Sequence, residues 1–514
     1  MKAIETIFFG LLGGVMLVVT LFWLWSSLSW FNILELNIRL PILLSLALVA
    51  FLFHKPISWF LQKVYSWICH HKIWVIVLAI LFQISLLLSA NMMIRSDAAV
   101  VYLGAAKLMP PDLIARYLTR NPNNIALFLY ERSLFNWFDS QSALWILQFL
   151  NILYVHVSGY LFYRTARDFY GQSLGDKVFL FYLVLIGLTP KFMAMYSDIL
   201  VLPLLGIQLY LILYFVKHLE SQLMIWWQVV LLGIITALGI ALRPTAAILV
   251  IAFFIILFFK KQWKKMAIFF LFFTLSFSGT YGLIQLSISN QKEVVLLDGK
   301  GLSKNLLTFV NLGLTFTGTD QKDMKKGLES YLPKEERSNY NNGLFNNEHQ
   351  LAEIKRRLHE YTPVTFWQHI LEKQYRTTAQ GNLNWIYKDA KREKTAYVSP
   401  LAQYTKGNPL AKFFRDYFIY TDQENFKYYD FFIQLIWVLF VLGVVFFYIK
   451  IAERSMERVL SLALFGGLLF LQIFEGGKSR YLIQFLPQML LIAAIGWENI
   501  LVCKRKLGRN RINH

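Results

Sequence analysis

Cysteine is nearly absent: Cys69 and Cys503 are the two in a chain of 514 residues. Both lie beside basic stretches that flank apolar runs. They cannot support a disulfide framework, and no C-x-x-C or mixed Cys/His spacing suggests zinc. Charge is scarce as well. Asp, Glu, Lys and Arg make up 16% of the residues, against about 25% in ordinary soluble domains. Nucleotide motifs are missing. No Gly-rich phosphate loop, dinucleotide fingerprint, H-E-x-x-H or G-x-S-x-G stands in a suitable context, which argues against ATP-driven chemistry in the cytosol. There is no internal repeat, and no matched pair of broken helices of the kind that marks many secondary transporters.

In place of charge the chain has apolar length. Hydrophobic residues reach 56% and aromatics 17%, gathered in long runs between short charged stretches. A membrane-spanning helix needs about 20 mostly apolar residues. Spans are predicted at 6–26, 39–54, 73–90, 143–163, 178–194, 199–216, 225–242, 245–259, 266–287, 431–450, 458–474 and 481–502. The run from Ile7 to Trp25 is too long for a signal-peptide core and has no small-residue cleavage site after it, so it is expected to be a retained first span. The expected fold class is an all-α polytopic membrane protein of about twelve transmembrane helices with an inserted, mostly helical extracytoplasmic domain.

The net charge of +20 would suggest nucleic acid in a soluble protein. Here the Lys and Arg residues collect in short loops beside apolar runs, the positive-inside bias, and no nucleic-acid partner is expected. The basic clusters are Lys55–Lys63, His70–Lys72, Arg164–Arg167 with Lys177, Lys260–Lys265, Lys450–Arg458 and Lys504–Arg511. With the predicted spans they all fall on one side, the cytoplasm, together with both termini. The other side receives 91–142, the turn Lys191–Asp198, the Arg243-Pro244 break, 288–430 and Glu475–Arg480. The expected organisation is a transmembrane module over 1–287 with its first outer loop at 91–142. An extracytoplasmic domain over 288–430, C-terminal transmembrane helices over 431–503 and a basic cytoplasmic tail over 504–514 follow. The segment 288–430 is too long for a plain loop. Glu348–Tyr361 and Thr365–Thr378 read as helices, and Asn341-Asn342-Gly343 reads as a connection.

The candidate chemistry lies in the outer loops. Asp97 directly follows an apolar run and opens a helix. It is either an N-cap at the membrane edge or a carboxylate held at the outer surface as a general base. Asp198, in Tyr196-Ser197-Asp198, poses the same choice. Two acids on one face could also act as base and orienting group, or bind a divalent cation (Mg or Mn) through oxygen ligands. Arg243, before Pro244, either snorkels or faces a cavity. Glu475 and Arg480 could form a structural ion pair, or Arg480 could meet a phosphate, with Lys478 adding a point charge. The Gly-punctuated stretches Phe309–Asp320 and Ala379–Trp385 are turns near the membrane.

Several stretches resemble one family when taken in order. Asp97 has Tyr102 five residues on, followed by Asn121-Pro122-Asn123-Asn124 before an apolar run. Next come Tyr196-Ser197-Asp198, then Arg243-Pro244-Thr245, then Asn311-Leu312-Gly313-Leu314 with a downstream Asp320. The series closes with Glu475 and Arg480-Tyr481, and Pro487 in the final helix. This series resembles the bacterial GT-C membrane glycosyltransferases related to protein mannosyltransferases, of the Gram-positive type. The resemblance runs from about Asn91 to Pro487. It implies inverting transfer of a sugar from a polyprenyl-phosphate carrier to an acceptor at the outer membrane face. The acceptor would be a cell-envelope glycan, a teichoic acid or a protein. It further implies Asp97 as base and Asp198 as second acid, with Arg243 and Arg480 facing the lipid phosphate. Tyr102, Asn123, Asn124, Glu475, Lys478 and Tyr481 are expected on the substrate side. One departure is that relatives often carry two adjacent acids in the first loop, whereas Ala98 follows Asp97, which weakens a metal-bridging role there. Two other readings stay open: a polysaccharide polymerase or ligase, and a flippase or transporter of lipid-linked glycans.

Overall fold

The computed structural model describes residues 2–33, 35–219, 226–337, 342–388, 397–398, 405–450 and 454–512. Asn341 of the expected connection, 451–453 of the Lys450–Arg458 stretch, and 513–514 of the basic tail lie outside the described residues, as do 389–396 and 399–404. The described chain is helical apart from one short antiparallel ladder, which pairs Met92–Ile94 with Tyr397–Val398.

Among the described residues eight helices are long and apolar enough to cross a membrane: Ala3–Ser29, Lys72–Ser89, Ser140–Tyr170, Ser197–Lys217, Trp263–Asn290, Phe426–Ile449, Ser455–Ile473 and Ser479–Ile500. Trp226–Leu242 and Pro244–Phe259 are apolar but shorter. The Leu36–Leu52 helix also falls on a predicted span and carries Pro41 inside it. One expected span is shorter than expected. Over 178–194 the Gln172–Tyr182 helix runs into a π turn at Leu183–Gly187, and the chain resumes as a 3-10 turn at Pro190–Ala194. Apolar composition continued past the point where the backbone leaves the helix.

Burial orders these helices. The apolar stretch of Ser479–Ile500 is 89% buried, so it forms the axis, whereas that of Trp263–Asn290 is 11% buried and lies at the edge. The edge helix exposes Phe270, Leu271, Leu275, Leu283 and Leu286. Such a face is untenable in water and suits lipid chains. Around the axis the helices approach to backbone contact. A Cβ on Gly496 would stand 1.8 Å from the Gly443 carbonyl oxygen, and one on Gly443 would stand 2.5 Å from the Ala493 carbonyl oxygen. Small residues at a helix crossing let dispersion contacts accumulate where no hydrophobic force separates helix from lipid.

The two ends of the bundle differ. One end is tied by ion pairs between helices: Lys72–Asp176 at 2.7 Å, Lys177–Glu498 at 2.5 Å, and Arg458 with Glu5. The same helices lead at their other ends to Arg95, Lys191, Glu475 and Arg480. There the polar segment beginning near residue 291 attaches. It contributes helices Leu306–Gly313, Gln321–Glu329, Asn347–Glu360, Pro363–Thr378 and Pro409–Phe414. Side-chain caps from Asn305, Asp320, Asn346, Thr362 and Asn408 hold five of the N-termini. Part of this segment has its own small core, made of Leu312, Met324, Leu328, Leu332, Leu344 and Phe345. Another part, with Leu383, Trp385, Tyr387, Ile419 and Tyr420, belongs to the main core of the bundle.

The crossing at Gly443 and Gly496 generates a prediction. Gly496→Ala forces two backbones apart and should cost about 1–3 kcal/mol, read as a lowered thermal midpoint of the detergent-purified protein. Gly13→Ala, where nothing lies within 4 Å, should leave that midpoint unchanged.

Candidate functional site

Two acids from different elements reach one cavity at the polar end of the bundle. The first enters from the strand Met92–Ile94. Arg95 takes the N-cap position of the Ser96–Ala105 helix, and its guanidinium donates to the Ile386 carbonyl. Ser96 has φ +55°. Asp97 then falls in the first helical turn, where the helix dipole favours a carboxylate, and it is exposed. The N-cap reading of Asp97 is therefore corrected. The second acid enters through Met195, at φ +46°, with Tyr196 in the N-cap position of the Ser197–Leu200 helix. Asp198 is likewise not the cap. It is buried, and its carboxylate meets two guanidiniums.

Asp198 Oδ1 lies 2.7 Å from Arg243 Nη2, and Oδ2 lies 3.4 Å from Arg480 Nε. Both guanidiniums also cover the Tyr196 ring, at 4.9 Å and 5.4 Å from its centre. Snorkelling of Arg243 is excluded by this inward pairing. The contacts satisfy charge proximity better than direction. Asp198 Oδ1, Arg243 Nε and Nη2, and Arg480 Nε are buried and make no directed hydrogen bond among the described residues. Such spare capacity in buried charged groups is a mark of ligand sites.

A hydrogen-bonded chain connects this cluster to Asp97. Tyr196 Oη donates to Asn124 Oδ1 at 3.0 Å, and Asn124 Nδ2 donates to Tyr117 Oη at 2.8 Å. The Tyr117 hydroxyl in turn faces Asp97; burial, with the Asp97 charge beside it, pushes its pKa up and keeps it a protonated donor. The cavity wall is completed by Lys191 and the segment from Asn384 to Tyr387. Lys191 Nζ donates to the Leu383 carbonyl at 2.8 Å and lies over Trp385, whose ring stacks on Tyr387 at 4.0 Å. Of the six described non-glycine residues at positive φ, four adjoin this cavity: Ser96, Met195, Leu383 and Asn384. Each costs about 1–3 kcal/mol, and such strain concentrates at functional sites.

The loop Phe474–Arg480 closes the cluster from below. Glu475 accepts from the Tyr481 hydroxyl, and the nearest acid to Arg480 is Asp198, so the expected Glu475–Arg480 ion pair is corrected. Lys478 is half-buried. Desolvation pulls its ammonium pKa down, while Glu475 pushes it back up. The loop is anchored by buried Lys373, whose Nζ donates to the carbonyls of Gly313, Gln472 and Phe474 at 2.9, 2.7 and 3.1 Å.

Some expected residues stand elsewhere. Tyr102 is fully buried, its ring 5.5 Å from that of Phe135, so it packs the protein core. The i+5 spacing turns it away from Asp97. Asn123 is exposed in the turn Pro122–Asn124, and Asn124 carries the bridging role. Asp320 caps the Gln321–Glu329 helix. Sequence reasoning missed Arg95, Tyr117, Lys191 and Tyr387. Lys191 carried a signal, as a lone cation in an apolar turn. Among the described residues no group of three His, Cys, Asp or Glu is placed to hold a metal ion. Beside the site an apolar groove of about 420 Å3 opens between helices, walled by Leu200, Pro203, Leu204, Leu238 and Leu242. Leu200 and Leu242 place it next to Asp198 and Arg243 in the chain.

Over residues 2–501 the sequence matches a family described as conserved hypothetical integral membrane protein, and the chain belongs to that family. No curated protein and no solved structure matches it. It is thus a multi-pass integral membrane protein.

The two acids should respond oppositely to neutralisation. Asp198→Asn leaves two guanidiniums facing each other in a buried site and should cost about 3–5 kcal/mol. Asp97→Asn, at an exposed carboxylate, should stay within about 0.5 kcal/mol of the parent. Thermal unfolding of both variants in detergent checks the contrast; equal midpoints would remove the structural role given to Asp198.

Proposed function

We propose that this family member is a GT-C-type glycosyltransferase. It moves a sugar from a polyprenyl-phosphate carrier to an acceptor hydroxyl at the outer membrane face, with inversion. The observation that carries this reading is the sharing of one cavity by an exposed carboxylate, Asp97, and by buried Asp198 with Arg480, where Asp198 also pairs with Arg243 and both guanidiniums keep unused donor capacity. In this reading there are about twelve spans, both termini are cytoplasmic, and the polar segment 288–430 lies outside.

Each part has a chemical task. An acceptor hydroxyl is a weak nucleophile, so Asp97 takes its proton as oxygen attacks the sugar C1. The bond from C1 to the phosphate oxygen breaks, and its electron pair leaves with the polyprenyl phosphate. That phosphate gains negative charge, which Arg243 and Arg480 stabilise without having to reorganise. Asp198 holds the two guanidiniums in place and offsets one of their charges. The groove beside Leu200 and Leu242 takes the first isoprene units, and the Trp385–Tyr387 pair walls the sugar side. A flippase would need charges along a path through the bundle; here the convergent charges stand at one end.

The test uses purified protein in lipid nanodiscs with radiolabelled polyprenyl-phosphate sugars and membrane-derived acceptors. The parent should label an acceptor, and Asp97→Asn should lose about 10²–10⁴-fold in rate at unchanged abundance. Transfer at the parental rate by Asp97→Asn would refute the base assignment.

A further inference from the structure

The Pro363–Thr378 helix has three distinct faces. Its start is fixed by Pro363 in the first turn and by a capping box between Thr362 and Thr365. One face is a polar seam turned into the protein: His369, Lys373 and Thr377, one turn apart, are buried. A second face carries Gln368, Glu372 and Arg376, with Arg376 Nε 2.5 Å from the Glu372 carboxylate. The third is apolar and uncovered. Val364, Trp367, Leu371 and Tyr375 follow at the spacing of a single helix stripe. Val364 is 66% exposed, Trp367 65% and Leu371 47%. A contiguous stripe of this kind is poorly suited to water and marks a contact surface.

The stripe continues the lipid-facing surface of the bundle. The Ala3–Ser29 span exposes Leu11, Val18 and Trp25 along one face. Glu5 of this span pairs with Arg458 at the opposite end of the bundle. From Glu5 to Trp25 the helix rises about 30 Å, the thickness of a hydrocarbon core, so Trp25 falls at the headgroup level where aromatic rings gather. The Tyr375 ring stands 6.0 Å from that of Trp25 and 6.5 Å from that of Trp30. Ser26 Oγ and Thr378 Oγ1 share a hydrogen bond at 2.9 Å, and Ser27 Oγ donates to the Thr378 carbonyl at 3.3 Å. The end of the Pro363–Thr378 helix is thus fixed at that level. Its seam grips the loop Phe474–Arg480. Lys373 Nζ donates to the Gln472 and Phe474 carbonyls, and the Gly477 amide donates to Thr377 Oγ1 at 3.0 Å.

We propose that the Pro363–Thr378 helix lies in the membrane interface, with Val364, Trp367 and Leu371 among the lipid chains, and that this contact positions the loop bearing Lys478 and Arg480. A helix of this kind sinks one apolar face by about 5–10 Å into the boundary while its polar face stays in water. Bilayer lipid is the occupant because the stripe joins, at Trp25 and Tyr375, a surface that a spanning helix already turns to acyl chains. The seam then carries the depth of the helix to the site: Lys373 and Thr377 lie one turn and less from Leu371 and hold the loop directly. They are positioning residues in this arrangement. The inference requires a bilayer and no particular reaction, so it stands or falls apart from sugar transfer.

Depth is read from nitroxide labels on single cysteines, in the full-length protein carrying Cys69→Ser and Cys503→Ser, reconstituted in phosphatidylcholine nanodiscs. Labels at Trp367→Cys and Leu371→Cys should collide several-fold more often with oxygen, which concentrates in lipid, than with a water-soluble nickel chelate. Labels at Gln368→Cys and Arg376→Cys should show the reverse. Preference for the chelate at both stripe positions overturns the proposal. So does shielding of both from either reagent, the result expected if a second copy or another protein covered the stripe. Loop positioning is read by hydrogen exchange of the amides from 474 to 480 in the same nanodiscs. The double variant Trp367→Glu/Leu371→Glu should speed that exchange by roughly tenfold. Gln368→Glu, on the polar face, and Trp367→Phe, which keeps an apolar ring, should leave it at the parental rate. An unchanged rate in the double variant refutes the positioning role, and so does an equal acceleration in the spanning helices, which would mean general loss of fold.

Discussion

A charge inside a helical bundle must be compensated, and Asp198 between Arg243 and Arg480 is where this protein meets that constraint most sharply. Removing a carboxylate from water is costly, and one guanidinium restores the balance. The second leaves a net positive charge at the end of the bundle. Three elements meet there: the break after Ala194, the Arg243-Pro244 corner and the start of the axial helix at Ser479. The cluster therefore both ties these elements together and leaves a cation facing the cavity. Tyr196 lies against both guanidiniums, and its hydroxyl carries the network onward to Asn124, Tyr117 and Asp97.

The same chemistry attaches the polar segment to the bundle. Cations donate to backbone carbonyls at each seam: Lys373 to Gly313, Gln472 and Phe474, Lys191 to Leu383, Arg95 to Ile386, and Arg415 to Ser89. A lysine or arginine at a helix end answers the carbonyls that the helix leaves unpaired. Part of the positive excess of the chain is thus structural.

Asp97, Asp198, Arg243 and Arg480 stood out in the sequence because charge is rare in this chain and each sits where an apolar run ends. Their partners did not stand out. Glu475 and Arg480 look paired along the chain, yet the tight turn through Gly476 and Gly477 turns Glu475 to Tyr481 and leaves Arg480 to Asp198. Tyr102 looked like a companion of Asp97, but five residues along a helix turn it into the core. Arg120 and Lys304 are far apart in sequence, and only the capping of one helix end by a distant loop sets them side by side.

The sequence by itself determined the class of the molecule and most of its helices, because hydropathy is a local property and a bilayer imposes a local length. It also determined which charges had to be exceptional, since few were available. The tertiary structure alone decided which of them meet, where the fifth apolar run stops being helical, and that Asp97 lines two cavities. Those outcomes depend on contacts between segments distant in the chain, and such contacts leave no periodicity to read.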